Sequence, residues 1–413
     1  YHSSQQQIAF LKELHAIQND YDMRVNDMTT LDGVKMRWKQ DVFYRGLDIM
    51  SGDSYSMRMI DVDRSFIFTF DAMGKGVGAS VTSMMSMTFM NYLVTQYGTA
   101  FNMYNVINEF LSYIKRILLK DEILCANFLH LNSRTEEMYF CSFGMPKLFM
   151  TGDDGVLRTL KCNNLPIMRY TKEFKIDILS LVGISKILVS SDGLNEASNG
   201  EYSYEQFIAD DFMQSCTLSE FKDRFLSRFP EPDDDLTIIF LSANSPTPVW
   251  SESLTVKSTL DELHRLERFF NSTLARVDID ESDREKLDIA FTEAIMNAYE
   301  HGNLGLTLMD KHRAMNSGDY DEVLAERQLL NADKTIKATI SLYHANGCAP
   351  TLEISVLDEG AGVPKQLEPV TDRDPYLMCG RGLEIIKQYS DHVYYSHKGN
   401  EIIIVKVVKS KEV

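Results

Sequence analysis

No apolar run in the 413 residues is long enough to cross a membrane, which takes roughly 18 uncharged residues. The best stretch, residues 176–189, is interrupted by Asp177 and Lys186. Residues 1–30 are polar where a secretory leader is apolar, so a cytoplasmic protein is expected. Closely paired cysteines are also missing. Cys125, Cys141, Cys162, Cys216, Cys348 and Cys379 are scattered, which excludes a disulfide scaffold and reads as reduced packing cysteines. Runs of Lys and Arg are absent too, and the formal net charge of -18 argues against nucleic acid or an anionic membrane as the main partner. There is no internal repeat.

What is present is ordinary globular composition, 44% hydrophobic and 25% charged, in a chain too long for one common domain. Residues 5–27 place Ile8, Phe10, Leu11, Leu14, Ile17 and Tyr21 at helical spacing. The first residue is Tyr1, not Met, so a linker helix (residues 1–30) following a missing N-terminal module is expected. Two helical patterns, residues 77–97 and 102–119, follow a pair of strands between residues 54 and 72. Short strand-like runs succeed them at residues 125–131, 136–143, 147–150, 174–179, 186–190 and 236–241. The polar, proline-bearing stretch 242–249 reads as a linker. It sets a boundary between residues 31–245 and 246–413. Beyond it come helices at 260–277 and 282–301, a charged helical segment at 306–330, strands at 335–344 and 351–357, a helix at 382–390, and strands at 393–397 and 402–408. Each half reads as an α/β sandwich, the second with a mixed sheet.

Four aspartates stand out by context. Asp71 ends the apolar run Phe66-Ile-Phe-Thr-Phe and precedes Ala72-Met73-Gly74-Lys75-Gly76. Asp53 follows Ser51-Gly52, Asp192 follows residues 187–191, and Asp234 precedes residues 236–241. Singly, each is an ordinary turn or cap residue. Jointly, carboxylates at the strand ends of one sandwich would repel unless divalent cations neutralised them. An oxygen-only set suits Mg²⁺ or Mn²⁺, which can activate a water and clamp a phosphoryl group.

The motifs Ser51-Gly52-Asp53, Asp71-Ala72-Met73-Gly74-Lys75-Gly76, Ser191-Asp192-Gly193-Leu194-Asn195-Glu196-Ala197 and Asp234-Asp235-Leu236-Thr237 resemble the PPM-type serine/threonine phosphatases of the SpoIIE and RsbU branch, over about residues 35–243. That resemblance implies an α-β-β-α sandwich with two Mg²⁺ or Mn²⁺ ions. Asp71 would bridge both, helped by the Ala72 carbonyl. Asp53 would serve one ion, and Asp192 and Asp234 the other. The run Asp233-Asp234-Asp235 leaves the last ligand ambiguous by one residue. Lys75 stands where many relatives carry His, and Met145 replaces a His in the turn Phe143-Gly144-Met145-Pro146.

In the second half, the helix at 282–301 carries Glu293, Asn297 and Glu300/His301 about one turn apart. Asp358-Glu359-Gly360-Ala361-Gly362 follows a strand, and Gly380-Arg381-Gly382 opens a helix, where backbone N–H groups and the helix dipole favour phosphate. The ordered set resembles the GHKL (Bergerat) ATP-binding fold, and within it the RsbW-type anti-sigma-factor serine kinases. The resemblance implies Mg²⁺ on the ATP phosphates at Asn297, adenine at Asp358 with Gly360 and Gly362, and phosphates along Gly380, Arg381 and Gly382. Residues 363–379 would form the lid, and Glu293 would be the general base. Residues 304–332 are longer than the matching segment of compact kinases.

Together the two halves imply a bifunctional partner-switching regulator that removes and adds a phosphate on one serine of a STAS-domain anti-anti-sigma protein. A receiver domain ahead of it and a homodimer are part of that expectation. The competing reading keeps the phosphatase but makes the second half a non-catalytic ATP-binding module that sequesters a sigma or anti-sigma factor.

Overall fold

The structure, a computed structural model, describes residues 19–21, 26–29, 35–47, 51–74, 77–152, 154–231, 233–243, 248–344, 349–363 and 382–408. The chain divides into two compact units, the first running to Asn244 and the second from Ser245.

Two six-stranded sheets form the first unit. One orders β1 (Asn19–Tyr21), β4 (Asp53–Met59), β5 (Arg64–Ala72), β6 (Leu124–Asn132), β7 (Glu137–Phe143) and β10 (Asp177–Ser180). The other orders β2 (Asn26–Thr29), β3 (Lys35–Arg45), β12 (Leu236–Ala243), β11 (Ile184–Ser190), β8 (Leu148–Gly152) and β9 (Arg158–Leu160). Alternation along β5 separates two cores, because successive strand side chains face opposite ways. Phe66, Phe68, Phe70 and Ala72 meet helices α1 (Val77–Tyr97) and α2 (Met103–Ile117), with Phe70 stacked on Phe110 at 5.1 Å. Ile67, on the other face, packs between the sheets with Trp38, Leu129, Ile187 and Ile239. After β11 comes the short α3 (Asp192–Glu196). Helices α4 (Ile208–Gln214) and α5 (Leu218–Arg228) cover the second sheet through Phe212, Phe221 and Phe225 on Leu188, Ile238 and Phe240. The result is the expected α-β-β-α sandwich.

The helical reading of residues 5–27 is not kept where the chain is described. Asn19–Tyr21 pairs with β4 and Asn26–Thr29 with β3; strand pairing overrides the local apolar spacing. Residues 1–18 and 22–25 lie outside the described residues. Among the described residues Cys125, Cys141 and Cys162 are free thiols.

The second unit has one five-stranded sheet, ordered β13 (Trp250–Lys257), β14 (Thr335–Tyr343), β15 (Thr351–Leu357), β17 (Glu401–Val407) and β16 (His392–Tyr395). Every pairing is antiparallel, not mixed as expected. Helices α6 (Leu260–Leu274), α7 (Glu281–Asn297) and α10 (Gly382–Tyr389) lie on one face, where Phe270 and Phe291 stack at 4.2 Å above Ile340 and Ile354. The last turn after α7, Ala298–Asn303, is a π-helix. The charged segment is two helices, α8 (Leu308–Ser317) and α9 (Tyr320–Leu330), parted at Gly318, whose φ of 84° suits a glycine C-cap. No helix among the described residues is long and apolar enough to cross a membrane.

Candidate functional site

Register brings the first carboxylates together. Asp53 and Asp71 are directly paired across β4 and β5. Both side chains therefore leave the sheet on the face turned to the second sheet. There Thr237 of β12 donates its hydroxyl to Asp53 Oδ2 at 2.7 Å, and Asp53 is only 2% exposed. The backbone of Asp53 donates to Ser51 Oγ at 3.0 Å. Ser191 exchanges two bonds with Thr237, accepting its N–H at 3.0 Å and donating to its carbonyl at 2.9 Å. This fixes Asp192 at the start of α3. Gly193 is required just here: a Cβ on it would stand 2.0 Å from the Asp235 carbonyl oxygen and 3.6 Å from Asp234 Cβ. Ala72 closes the edge, its N–H donating to the Gly52 carbonyl at 3.2 Å.

Asp235 has a different occupation from Asp234. Its two carboxylate oxygens accept the N–H groups of Leu47 at 2.7 Å and Gly52 at 2.8 Å. Asp234 accepts the Asp235 N–H at 2.9 Å, and its charge acts on Asp71 and Asp192.

Among the described residues, the charges acting on this edge are carboxylates. Burial, then the charges of Asp53, Asp192 and Asp234, raise the Asp71 pKa far above the carboxylate range, and Asp71 and Asp192 share a hydrogen bond. Burial also raises Asp53, against the hydrogen bonds from Ser191 and Thr237, and it raises Asp192. The Cys125 thiol is pushed up to about 12 by burial and by the same charges. Cations would reverse each of these costs. The donors are all oxygen, which fits hard divalent ions. Among the described residues no three His, Cys, Asp or Glu side chains already stand in metal-holding geometry. The fold gathers the carboxylates at one edge without closing them around a point. Thr237 and Ser191 are the residues sequence reading did not assign; the signal was their place inside the quoted motifs. Lys75 and Gly76 lie outside the described residues.

In the second unit, Glu293 and Asn297 lie one turn apart on α7, and the first residue of α10 packs on both. A Cβ on Gly382 would be 2.7 Å from Glu293 Oε2 and 3.1 Å from Asn297 Nδ2. Asp358 follows β15. Its N–H donates to the Asn400 carbonyl at 2.9 Å, and its Oδ1 accepts the Gly360 N–H at 2.6 Å. Burial pushes its pKa up to about 6, against that N–H and the charges of Lys398 and Lys334. Gly362 has φ 84°, and a Cβ there would meet the Lys398 carbonyl at 2.1 Å. Asn303, fully buried and unassigned from sequence, accepts the Glu359 N–H at 2.8 Å and donates to the Thr335 carbonyl at 2.9 Å. So Glu293, Asn297 and Gly382 form one group, and Asp358, Gly360 and Gly362 another. Gly380, Arg381 and the lid at 364–379 lie outside the described residues.

A sandwich of this layering with aspartates at its strand ends defines a PP2C-type protein phosphatase domain, and the second unit a GHKL-type ATPase domain. Residues 61–244 match the family model of Stage II sporulation protein E (SpoIIE), and residues 256–406 match that of the histidine kinase-like ATPase domain. Over 217 residues it is 23% identical to Stage II sporulation protein E of Priestia megaterium, covering 50% of this chain and 36% of that protein. Over 170 residues it is 22% identical to phosphoserine phosphatase RsbP of Bacillus subtilis (strain 168), covering 40% and 41%. The chain thus spans well under half the length of these curated relatives. Among solved structures, the RsbU and RsbW domains of Rv1364c from Mycobacterium tuberculosis match over 94% of this chain and 96% of theirs, at 17% identity and a TM-score of 0.48.

Proposed function

We propose that the chain is a bifunctional partner-switching regulator acting on one serine of a small STAS-domain anti-anti-sigma protein. The first unit removes the phosphate and the second restores it from ATP. The observation that carries the reading is the register pairing of Asp53 with Asp71 beneath Thr237, with Asp192 and Asp234 at the same edge. In this reading Asp71, the Ala72 carbonyl, Asp53, Asp192 and Asp234 would hold two Mg²⁺ or Mn²⁺ ions. When bound, such ions supply an activated water and a clamp on the phosphoryl oxygens. Thr237 and Ser191 keep the Asp53 carboxylate oriented, and Asp235 holds the neighbouring loop. In the second unit Asn297 would take the Mg²⁺ on ATP, Asp358 the adenine amino group beside Gly360 and Gly362, and Gly380, Arg381 and Gly382 the phosphates. Glu293 would accept the serine hydroxyl proton.

The test uses the full chain and a candidate small STAS-domain protein. Mn²⁺ with the phosphoserine form should release phosphate, and Asp71→Asn should abolish that release; retained activity would refute the metal assignment. Mg²⁺ and labelled ATP with the unmodified form should label one serine, and Glu293→Gln should stop labelling without stopping nucleotide binding. Bound ATP with no serine label would make the second unit a binding module only.

A further inference from the structure

The insertion at residues 304–332 is tied to the proposed nucleotide pocket through one buried carboxylate. Glu300, in the π-helical turn after Asn297, is 2% exposed. Both of its oxygens are taken by the insertion. Lys311 Nζ of α8 donates to Oε2 at 2.5 Å, and the Tyr320 hydroxyl of α9 donates to Oε1. The same lysine lies 5.9 Å above the Tyr320 ring. A second tie runs from the Tyr299 hydroxyl to Gln328 Oε1 at 2.8 Å. The backbone adds a third, Leu306 N–H to the Glu300 carbonyl at 2.9 Å.

The other end of the turn is a wall of the pocket. A Cβ on Gly302 would fall 2.4–2.6 Å from the Asp358 carboxylate, and Gly302 also abuts Gly360. Asn303 holds the Glu359 N–H. A π-helical turn is uncommon and persists where its surroundings over-determine it. A buried carboxylate stripped of its cation is strongly unfavourable and seeks water. Displacing Lys311 or Tyr320 would therefore loosen the turn that carries Gly302 and Asn303.

We propose that the α8–α9 insertion is a clamp on the nucleotide pocket, with Glu300 the positioning residue that holds Gly302 and Asn303 against Asp358, Glu359 and Gly360. The inference rests on reading the second unit as a nucleotide site. A partner that grips or displaces the insertion would change nucleotide affinity, and by linkage bound nucleotide would stiffen the insertion.

Two readouts on the full chain test this. In the nucleotide-free protein, amide exchange at Glu359 and Gly360 should speed up about tenfold or more in Lys311→Met. It should return toward the parent rate in the double variant Lys311→Met/Glu300→Gln, where no charge is left unpaired. Mg-ADP titrated into the same proteins should bind about tenfold more weakly to Lys311→Met and recover in the double variant. The milder Tyr320→Phe keeps the ion pair and should move both readouts the same way by a smaller factor. Parent-like exchange at Glu359 and Gly360 in Lys311→Met and Tyr320→Phe overturns the clamp, even if their melting temperatures fall, because the pair is then only structural. If the parent chain fails to bind Mg-ADP, the nucleotide reading fails, and the exchange result alone upholds or overturns the clamp.

Discussion

Asp235→Ala separates a structural aspartate from its neighbours in the Asp233–Asp235 run. The Asp235 carboxylate accepts two backbone N–H groups, from Leu47 at 2.7 Å and Gly52 at 2.8 Å. A hydrogen bond to a charged group contributes about 1.5–3 kcal/mol. The bond to Leu47 is exposed and that to Gly52 only part-buried, so both take the low end and the pair contributes about 3 kcal/mol. Removing the charge also relieves its repulsion on Asp53, which offsets about 1 kcal/mol and leaves a net loss of about 2. With a urea slope of roughly 2 kcal/mol per molar, the midpoint of the first unit should fall by about 1 M. The chain has two tryptophans, Trp38 in the core of the first unit and Trp250 in the second. In a Trp250→Phe background, Trp38 fluorescence follows the first unit alone. Asp234→Ala should behave oppositely: an unchanged or slightly higher midpoint without metal, because its charge repels Asp71 and Asp192, and no phosphate release. An early-unfolding Asp234→Ala beside a stable but inactive Asp235→Ala would show the assignment to be wrong by one residue.

Two further outcomes follow from buried groups. Burial beside the Phe101 and Tyr139 rings, then the Arg64 charge, lower the His130 pKa from 6.5 to about 4. The folded value lies below the unfolded one, so this contribution is whole above pH 6.5 and is lost as pH falls toward 4. It amounts to at most about 3 kcal/mol. The Trp38-monitored midpoint of His130→Phe should therefore fall less between pH 7 and 4.5 than the parent's, and parallel curves would refute the burial argument. Gly302→Ala should cost Mg-ADP affinity more than about tenfold, since its methyl overlaps the Asp358 carboxylate; parent-like titration would remove Gly302 from the pocket wall.

Much of the first unit was legible because β5 carries its own pattern. Phenylalanines at alternate positions announce a strand buried on both sides, and Asp71 falls on the face opposite them. That Asp71 stands opposite Asp53 was not legible, because register belongs to the pairing of two strands. Thr237 was visible only as a motif letter until β12 set its hydroxyl on Asp53. The strand at Trp250–Lys257 was passed over because it follows the proline linker directly and alternates with Ser, Glu and Thr, like a polar loop. Glu300 reads from sequence only as one of the row Glu293, Asn297 and Glu300/His301. Its burial depends on the α8–α9 insertion folding back over it, which no helical spacing reports.

Both units set a carboxylate at a strand end against backbone that glycine alone permits, yet the two settings favour different ligands. Gly193 lets the Asp192 turn touch the backbone of Asp235, and Gly302 lets the turn after α7 touch Asp358. At the first edge the charges of described residues that act on Asp71 are carboxylates, Asp53, Asp192 and Asp234, so Asp71 is repelled until positive charge arrives. At the second, burial raises the Asp358 pKa to about 6, and among the described residues the charges that act on it are those of Lys398 and Lys334, which oppose the rise, while an N–H from Gly360 already occupies Oδ1. A crowd of like charges is discharged by cations. A carboxylate flanked by lysines needs none, and serves best as a fixed acceptor for a donor such as an exocyclic amino group. The contrast supports metal chemistry at Asp71 and base recognition at Asp358, and it predicts that a chelator should stop phosphate release while leaving metal-free ADP bound.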